Sequence, residues 1–142
     1  MGASDPFGFD ATSVSLANDA RRYTQSTMSY ASMAGLVATI GQLLSVGEPR
    51  IEAHARSLAA MLISRASKNG WQPFRGVGDP AGSPHLISLG RPRESVEAIV
   101  ERLRSDNIVC GTRGGRIRIS LAPYNDESDV NALIEALAGA GS

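Results

Sequence analysis

The sequence has a single cysteine, Cys110, in 142 residues, which excludes an intrachain disulfide and any multi-cysteine zinc cluster. It has no charge imbalance. Fourteen Lys and Arg residues balance fourteen Asp and Glu, against a nonspecific nucleic-acid or membrane-surface binder. Aromatics make up only 5% of the chain, which leaves no base-stacking footprint. No apolar run is long enough to span a bilayer. The opening Met-Gly-Ala-Ser-Asp-Pro-Phe lacks the charged and apolar segments of a secretory signal, so the cytoplasm is the expected location. Lysine is nearly missing as well. Lys68 is the only one, and the other thirteen basic residues are arginines, which make planar, bidentate contacts with carboxylates and phosphates.

What is present supports a folded domain, since 42% of residues are hydrophobic. Residues 1–28 are broken by Gly2, Pro6 and Gly8 and by several Asp and Asn, so they read as an extended arm. Residues 29–142 carry regular periodicity. Met33, Leu36, Val37, Ile40 and Leu44 recur at helical spacing, and Gly47 ends the run. A second helix follows Pro49, with Ile51, Ala55, Leu58 and Leu62 as its apolar stripe and Asn69-Gly70 as its stop.

The period then changes. A brief strand is expected near Gln72 to Arg75 and another over Pro84 to Leu89. A third helix, Pro92 to Arg104, places Val96, Ile99, Val100 and Leu103 on one side. Ile108-Val109-Cys110 reads as a strand and Gly114-Gly115 as a hairpin turn. In Arg116 to Leu121, Ile117, Ile119 and Leu121 alternate with Arg116, Arg118 and Ser120. Asn125 or Asp126 caps a last helix with Val130, Leu133, Ile134 and Leu137 in its stripe, stopped by Gly139. The expected class is α+β: a small, mostly antiparallel sheet covered by helices on one face.

Arg118 is the strongest candidate for chemistry, because its strand turns an apolar face the other way. Arg116 and Ser120 share its side, and Arg113 lies across the hairpin; converging guanidinium groups suit a carboxylate or a phosphate. The bland alternative is a solvated face with surface ion pairs. His54 and His85 lack metal-ligand spacing and read as structural, and Cys110 reads as a packed thiol. Lys68, beside Asn69 at a helix end, is poorly placed for a Schiff base.

Two segments resemble a known family. Ala20-Arg21-Arg22-Tyr23-Thr24-Gln25-Ser26-Thr27-Met28-Ser29 resembles the stretch that precedes a long helix in class V pyridoxal-phosphate enzymes. Arg113-Gly114-Gly115-Arg116-Ile117-Arg118-Ile119-Ser120, continuing to Tyr124-Asn125-Asp126-Glu127-Ser128-Asp129-Val130, is similar to that family's closing signature. The order of the intervening elements also matches. The chain thus resembles the C-terminal small domain of a class V aminotransferase or cysteine-desulfurase-like enzyme, a PLP-dependent fold type I transferase.

The resemblance implies that Arg118 grips the α-carboxylate of an amino-acid substrate, with Arg113 a second arginine near the substrate mouth. Thr27 matches a threonine that reaches the cofactor phosphate across a dimer interface, so a homodimer is implied. Tyr124 and Asn125 match as packing and capping residues. The Schiff-base lysine and the cofactor-binding large domain lie upstream in the family. Their absence from this sequence implies a missing N-terminal partner domain, pyridoxal phosphate in the parent enzyme, and none bound covalently here. The desulfurase loop with its catalytic cysteine has no counterpart. That favours an aminotransferase, a lyase or an epimerase, while a stand-alone carboxylate-binding or interaction module is the alternative.

Overall fold

The structure is a computed structural model that describes residues 4, 13, 15–23, 29–76, 78–92 and 95–139. Thr27, like Thr24 and Ser26, lies outside the described residues. The chain forms two compact units, residues 1–45 and 46–142.

Among the described residues the first unit contains a 3-10 turn, Ala20–Tyr23, and nearly all of helix α1, Tyr30–Val46. Asp19 opens the turn by accepting from the backbone and side chain of Arg21, both at 3.0 Å. The apolar spacing read in the sequence does form α1, but every one of its residues is exposed, including Met33, Leu36, Val37, Ile40 and Leu44.

The second unit is the α+β body. Helix α2 spans Glu48–Lys68, starting from Gly47 with Pro49 in its first turn, where a missing N–H costs nothing. Ala55, Leu58, Ala59, Leu62 and Ala66 form its buried stripe. Strands β1 (Gln72–Pro73) and β2 (Leu86–Gly90) follow, then α3 (Val96–Ser105), β3 (Gly111–Arg113), β4 (Arg116–Ser120) and α4 (Glu127–Ala138).

The sheet is antiparallel throughout, in the order β1-β2-β4-β3. Its two borders are the shortest strands, two residues in β1 and three in β3. The alternation in β4 decides how the sheet divides. Ile117 and Ile119 are buried beside Ile87 and Leu89 of β2, and this face meets α2, α3 and α4 in one core. Leu62, Leu103, Val130 and Leu137 from the three helices complete it with Trp71. Burying a side chain of this kind stabilises the fold by roughly 1.5–3 kcal/mol.

Polar ties fix the helices over that face. Ser95 caps α3 by accepting from Ala98 N–H at 3.4 Å. Asp126, rather than Asn125, caps α4: it accepts from the N–H groups of Ser128 and Asp129, while Asp129 accepts from Asp126 N–H. Arg65 of α2 donates to Asn131 of α4, and Arg102 of α3 donates to Ala136 O at 2.9 Å.

One strand departs from the sequence reading. Ile108-Val109-Cys110 is irregular, and β3 begins only at Gly111. Gly114 and Gly115 both take positive φ (57° and 68°), the geometry of a tight two-residue hairpin turn. That turn pairs Arg113 directly with Arg116, so the ladder grows from the turn outward and ends at Gly111. The apolar tripeptide serves packing instead: Ile108 and Cys110 lean on the core while Val109 is 83% exposed.

Candidate functional site

The side of the sheet opposite the helices carries the candidate site. Strand register puts Ser88 opposite Arg118, Leu86 opposite Ser120, Gly111 opposite Arg118 and Arg113 opposite Arg116. Residues paired across an antiparallel ladder share a face. Arg113, Arg116, Arg118, Ser88 and Leu86 therefore stand together, and with Phe74 and Gly114 they line a cleft of about 370 Å³.

Among the described residues no carboxylate lines this cleft. Among the described residues Arg113 and Arg118 have neither an ion pair nor a hydrogen bond from their guanidinium groups, although arginine heads elsewhere in the chain are tied to Asp19, Glu52, Asp79 or Glu101. Two unpaired guanidinium forks on adjacent strands can accept a carboxylate in bidentate fashion.

Arg116 is committed differently. It reaches across β2 above Gly90, donates from Nη1 to Gln72 O at 3.1 Å, and holds its guanidinium 5.3 Å from the centre of the Phe74 ring. Arg75 stands 5.4 Å from the same ring and is itself held by Asp79 at 2.9 Å. Phe74 N–H donates to Ser88 O at 2.9 Å, which anchors the aromatic residue to the strand position facing Arg118. Each cation–ring contact at an exposed site is worth about 0.5–1 kcal/mol.

The remaining candidates sit elsewhere. His54 is exposed on α2, and its ring donates through Nε2–H to Asn125 O at 2.8 Å, which pins the loop before α4. Asn125 closes that loop, with Oδ1 accepting from Ala122 N–H at 2.8 Å and Nδ2 donating to Asp129 at 2.9 Å. Tyr124, expected to pack, is instead exposed, because the turn at Pro123 directs it outward. His85 is half-buried, with Nδ1 at 3.3 Å from Leu121 O.

Cys110 is half-buried in a second cleft of about 340 Å³ beside Ile108, Leu121 and Leu133. Burial pushes its thiol up from the ordinary value, the opposite of nucleophile activation. Lys68 is the exposed last residue of α2, in the helical layer behind the sheet. Among the described residues no three His, Cys, Asp or Glu side chains are placed to hold a metal ion, and no single helix is long and apolar enough to cross a membrane.

Phe74 and Gly90 escaped the sequence reading. The only signal for the first was an aromatic beside an arginine in Pro73-Phe74-Arg75; Gly90 showed none until Arg116 was seen lying above it.

The sequence matches no family model and no curated protein. The fold does have relatives among solved structures. The cysteine desulfurase of Thermococcus onnurineus NA1 aligns with a TM-score of 0.80 at 15% identity, over 98% of this chain and 38% of that one. The cysteine desulfurase CsdA of Escherichia coli gives 0.76 at 22% identity, over 94% and 36%. An alanine–glyoxylate aminotransferase of Nostoc sp. gives 0.67 at 20%, over 86% and 34%. The α+β fold is thus that of the C-terminal part of pyridoxal-phosphate-dependent enzymes of the cysteine-desulfurase and class V aminotransferase kind. The chain spans about a third of the length of the solved structures it matches.

Proposed function

We propose that this chain is the substrate-gripping small domain of a pyridoxal-phosphate-dependent enzyme acting on an amino acid, working with a large domain that carries the cofactor. The carrying observation is the pair of guanidinium groups, Arg118 and Arg113, which have no partner and no carboxylate beside them among the described residues. Arg118 binds the α-carboxylate through its planar fork, and Arg113 adds positive potential at the mouth. Together they fix the substrate's orientation, and closing the face against the large domain removes water from the ion pair.

The residues present do not fit covalent attachment of the cofactor. Lys68 is the sole lysine, and it sits at the end of a helix behind the sheet rather than on the arginine face. The electron-sink chemistry of such enzymes belongs to the cofactor and to the parent's large domain. Thr27 is assigned to the cofactor phosphate of a second copy in a homodimer, a reading that rests on its sequence motif. A transaminase, a lyase and an epimerase are equally compatible with this face.

A second reading, a non-catalytic carboxylate-binding module, is favoured by one observation: residues 46–142 have their own core and line the cleft unaided. Titration of the chain with sodium acetate, followed at the arginine side-chain N–H signals by NMR, tests both. Binding in the millimolar range that disappears in Arg118→Ala is expected for the gripping half of a larger site. Micromolar affinity for a small carboxylate would favour the module, and shifts unaffected by Arg118→Ala would overturn both. With added pyridoxal phosphate no Schiff-base absorbance is expected; a band abolished by Lys68→Ala would refute the proposed division of labour.

A further inference from the structure

We propose that Phe74, held in place by Arg116, is the specificity wall of the Arg118 cleft, so that the preferred ligands are carboxylates carrying an aromatic or broad apolar group. This rests on Arg118 being the carboxylate anchor.

The sheet supplies the argument. Arg118 and Arg116 are two residues apart on one strand and rise from the same face. Of the two, Arg116 already donates to Gln72 O and stands over the Phe74 ring, whereas Arg118 has all its donors free among the described residues. The strand opposite Arg118 is β2, and Ser88, its partner there, accepts the hydrogen bond of Phe74 N–H. The ring, just past the end of β1, is therefore fastened two strands over from the anchor, with β2 between them.

Its orientation is fixed as well. Arg116 and Arg75 stand at 5.3 and 5.4 Å from the ring centre, the former fastened to Gln72 and the latter to Asp79. Despite these holds Phe74 remains 63% exposed, and Leu86 beside it is 39% exposed. An aromatic ring immobilised yet uncovered offers apolar area without a further entropy cost on binding. Charge at one end of the cleft and apolar surface at the other match a ligand that is itself charged at one end and apolar at the other. Arg113 strengthens binding of any anion and does not choose among them.

The test uses the 142-residue chain and two probes, sodium acetate and sodium phenylacetate, titrated by NMR. Wild type is expected to bind phenylacetate roughly five- to tenfold tighter than acetate, the gain from covering part of one ring. Phe74→Ala brings the phenylacetate-to-acetate ratio towards one; Phe74→Leu, which keeps an apolar wall and guards against a folding defect, retains part of it. Arg116→Gln, which releases the ring, lowers the ratio towards that of Phe74→Ala. Equal affinities in wild type, or a ratio that survives Phe74→Ala, would overturn the specificity wall while leaving Arg118 as anchor. Loss of all Arg118-dependent binding for both acids would overturn the anchor and the wall with it.

Discussion

The guanidinium of Arg116 lies over the backbone of Gly90 so closely that a Cβ at Gly90 would come within 2.8 Å of Arg116 Nη1 and 3.3 Å of its Cγ and Cζ. Glycine at this position is what lets an arginine from β4 reach over β2 and hold β1.

Gly90→Ala should displace Arg116 and free the two-residue strand β1. The atom in the way is the end of a flexible side chain, so global stability should change by less than about 1 kcal/mol in urea denaturation. Amide hydrogen exchange at Phe74, whose N–H is bonded to Ser88 O, should nevertheless accelerate. Unchanged exchange there would show that Arg116 does not hold β1.

Core and surface leucines should separate cleanly. Leu103→Ala removes a fully buried side chain from the α3 contribution to the core and should cost about 2–5 kcal/mol. Leu44→Ala changes a residue of α1 that is 74% exposed, and should alter unfolding by no more than about 0.5 kcal/mol. Urea melts of the two variants, side by side with wild type, decide the matter.

Asp126 links stability to pH. Its carboxyl is held below the ordinary value of 3.8 chiefly by the Ser128 hydroxyl, then by the N–H groups of Asp129 and Ser128, with the charge of His54 a smaller influence. A carboxyl depressed in the folded state contributes stability that is present above its unfolded pKa and disappears as pH falls through the folded one. Asp126→Ala should therefore melt below wild type at neutral pH, and the gap should narrow in acid below 3.8. A gap that stays constant on acidification would remove Asp126 from the titrating cap.

The thiol of Cys110 should be slow to react. Burial raises its pKa, so less thiolate is present at pH 8 than in a free cysteine. Iodoacetamide should modify it more slowly than a free thiol under native conditions, and at the free-thiol rate in denaturant. Native reactivity equal to the denatured rate would contradict the packing around it.

Much of the body was legible because side-chain period and burial agree in it. The alternation from Arg116 to Ser120 predicted which residues enter the core, and Asn125-Asp126 and Gly139 marked the ends of α4. Ile108-Val109-Cys110 misled because apolar content signals burial, whereas strand pairing here is dictated by the turn that follows. Tyr124 misled through the resemblance, which implied a packing residue where the chain turns the ring outward. Hidden altogether was the Phe74–Arg116 contact, since residues so far apart in sequence meet only after β1, β2 and β4 are in register.

The brevity of the sheet's borders bears on how the protein behaves in crowded solution. The unpaired backbone groups along a sheet's edge strands invite other strands to extend it, and long regular borders are where fibrils begin. Here a two-residue β1 and a three-residue β3 offer almost no ladder to copy, and β3 ends on a charged arginine at a tight turn. The arginine face can thus stay open without the sheet becoming a template for its own polymer.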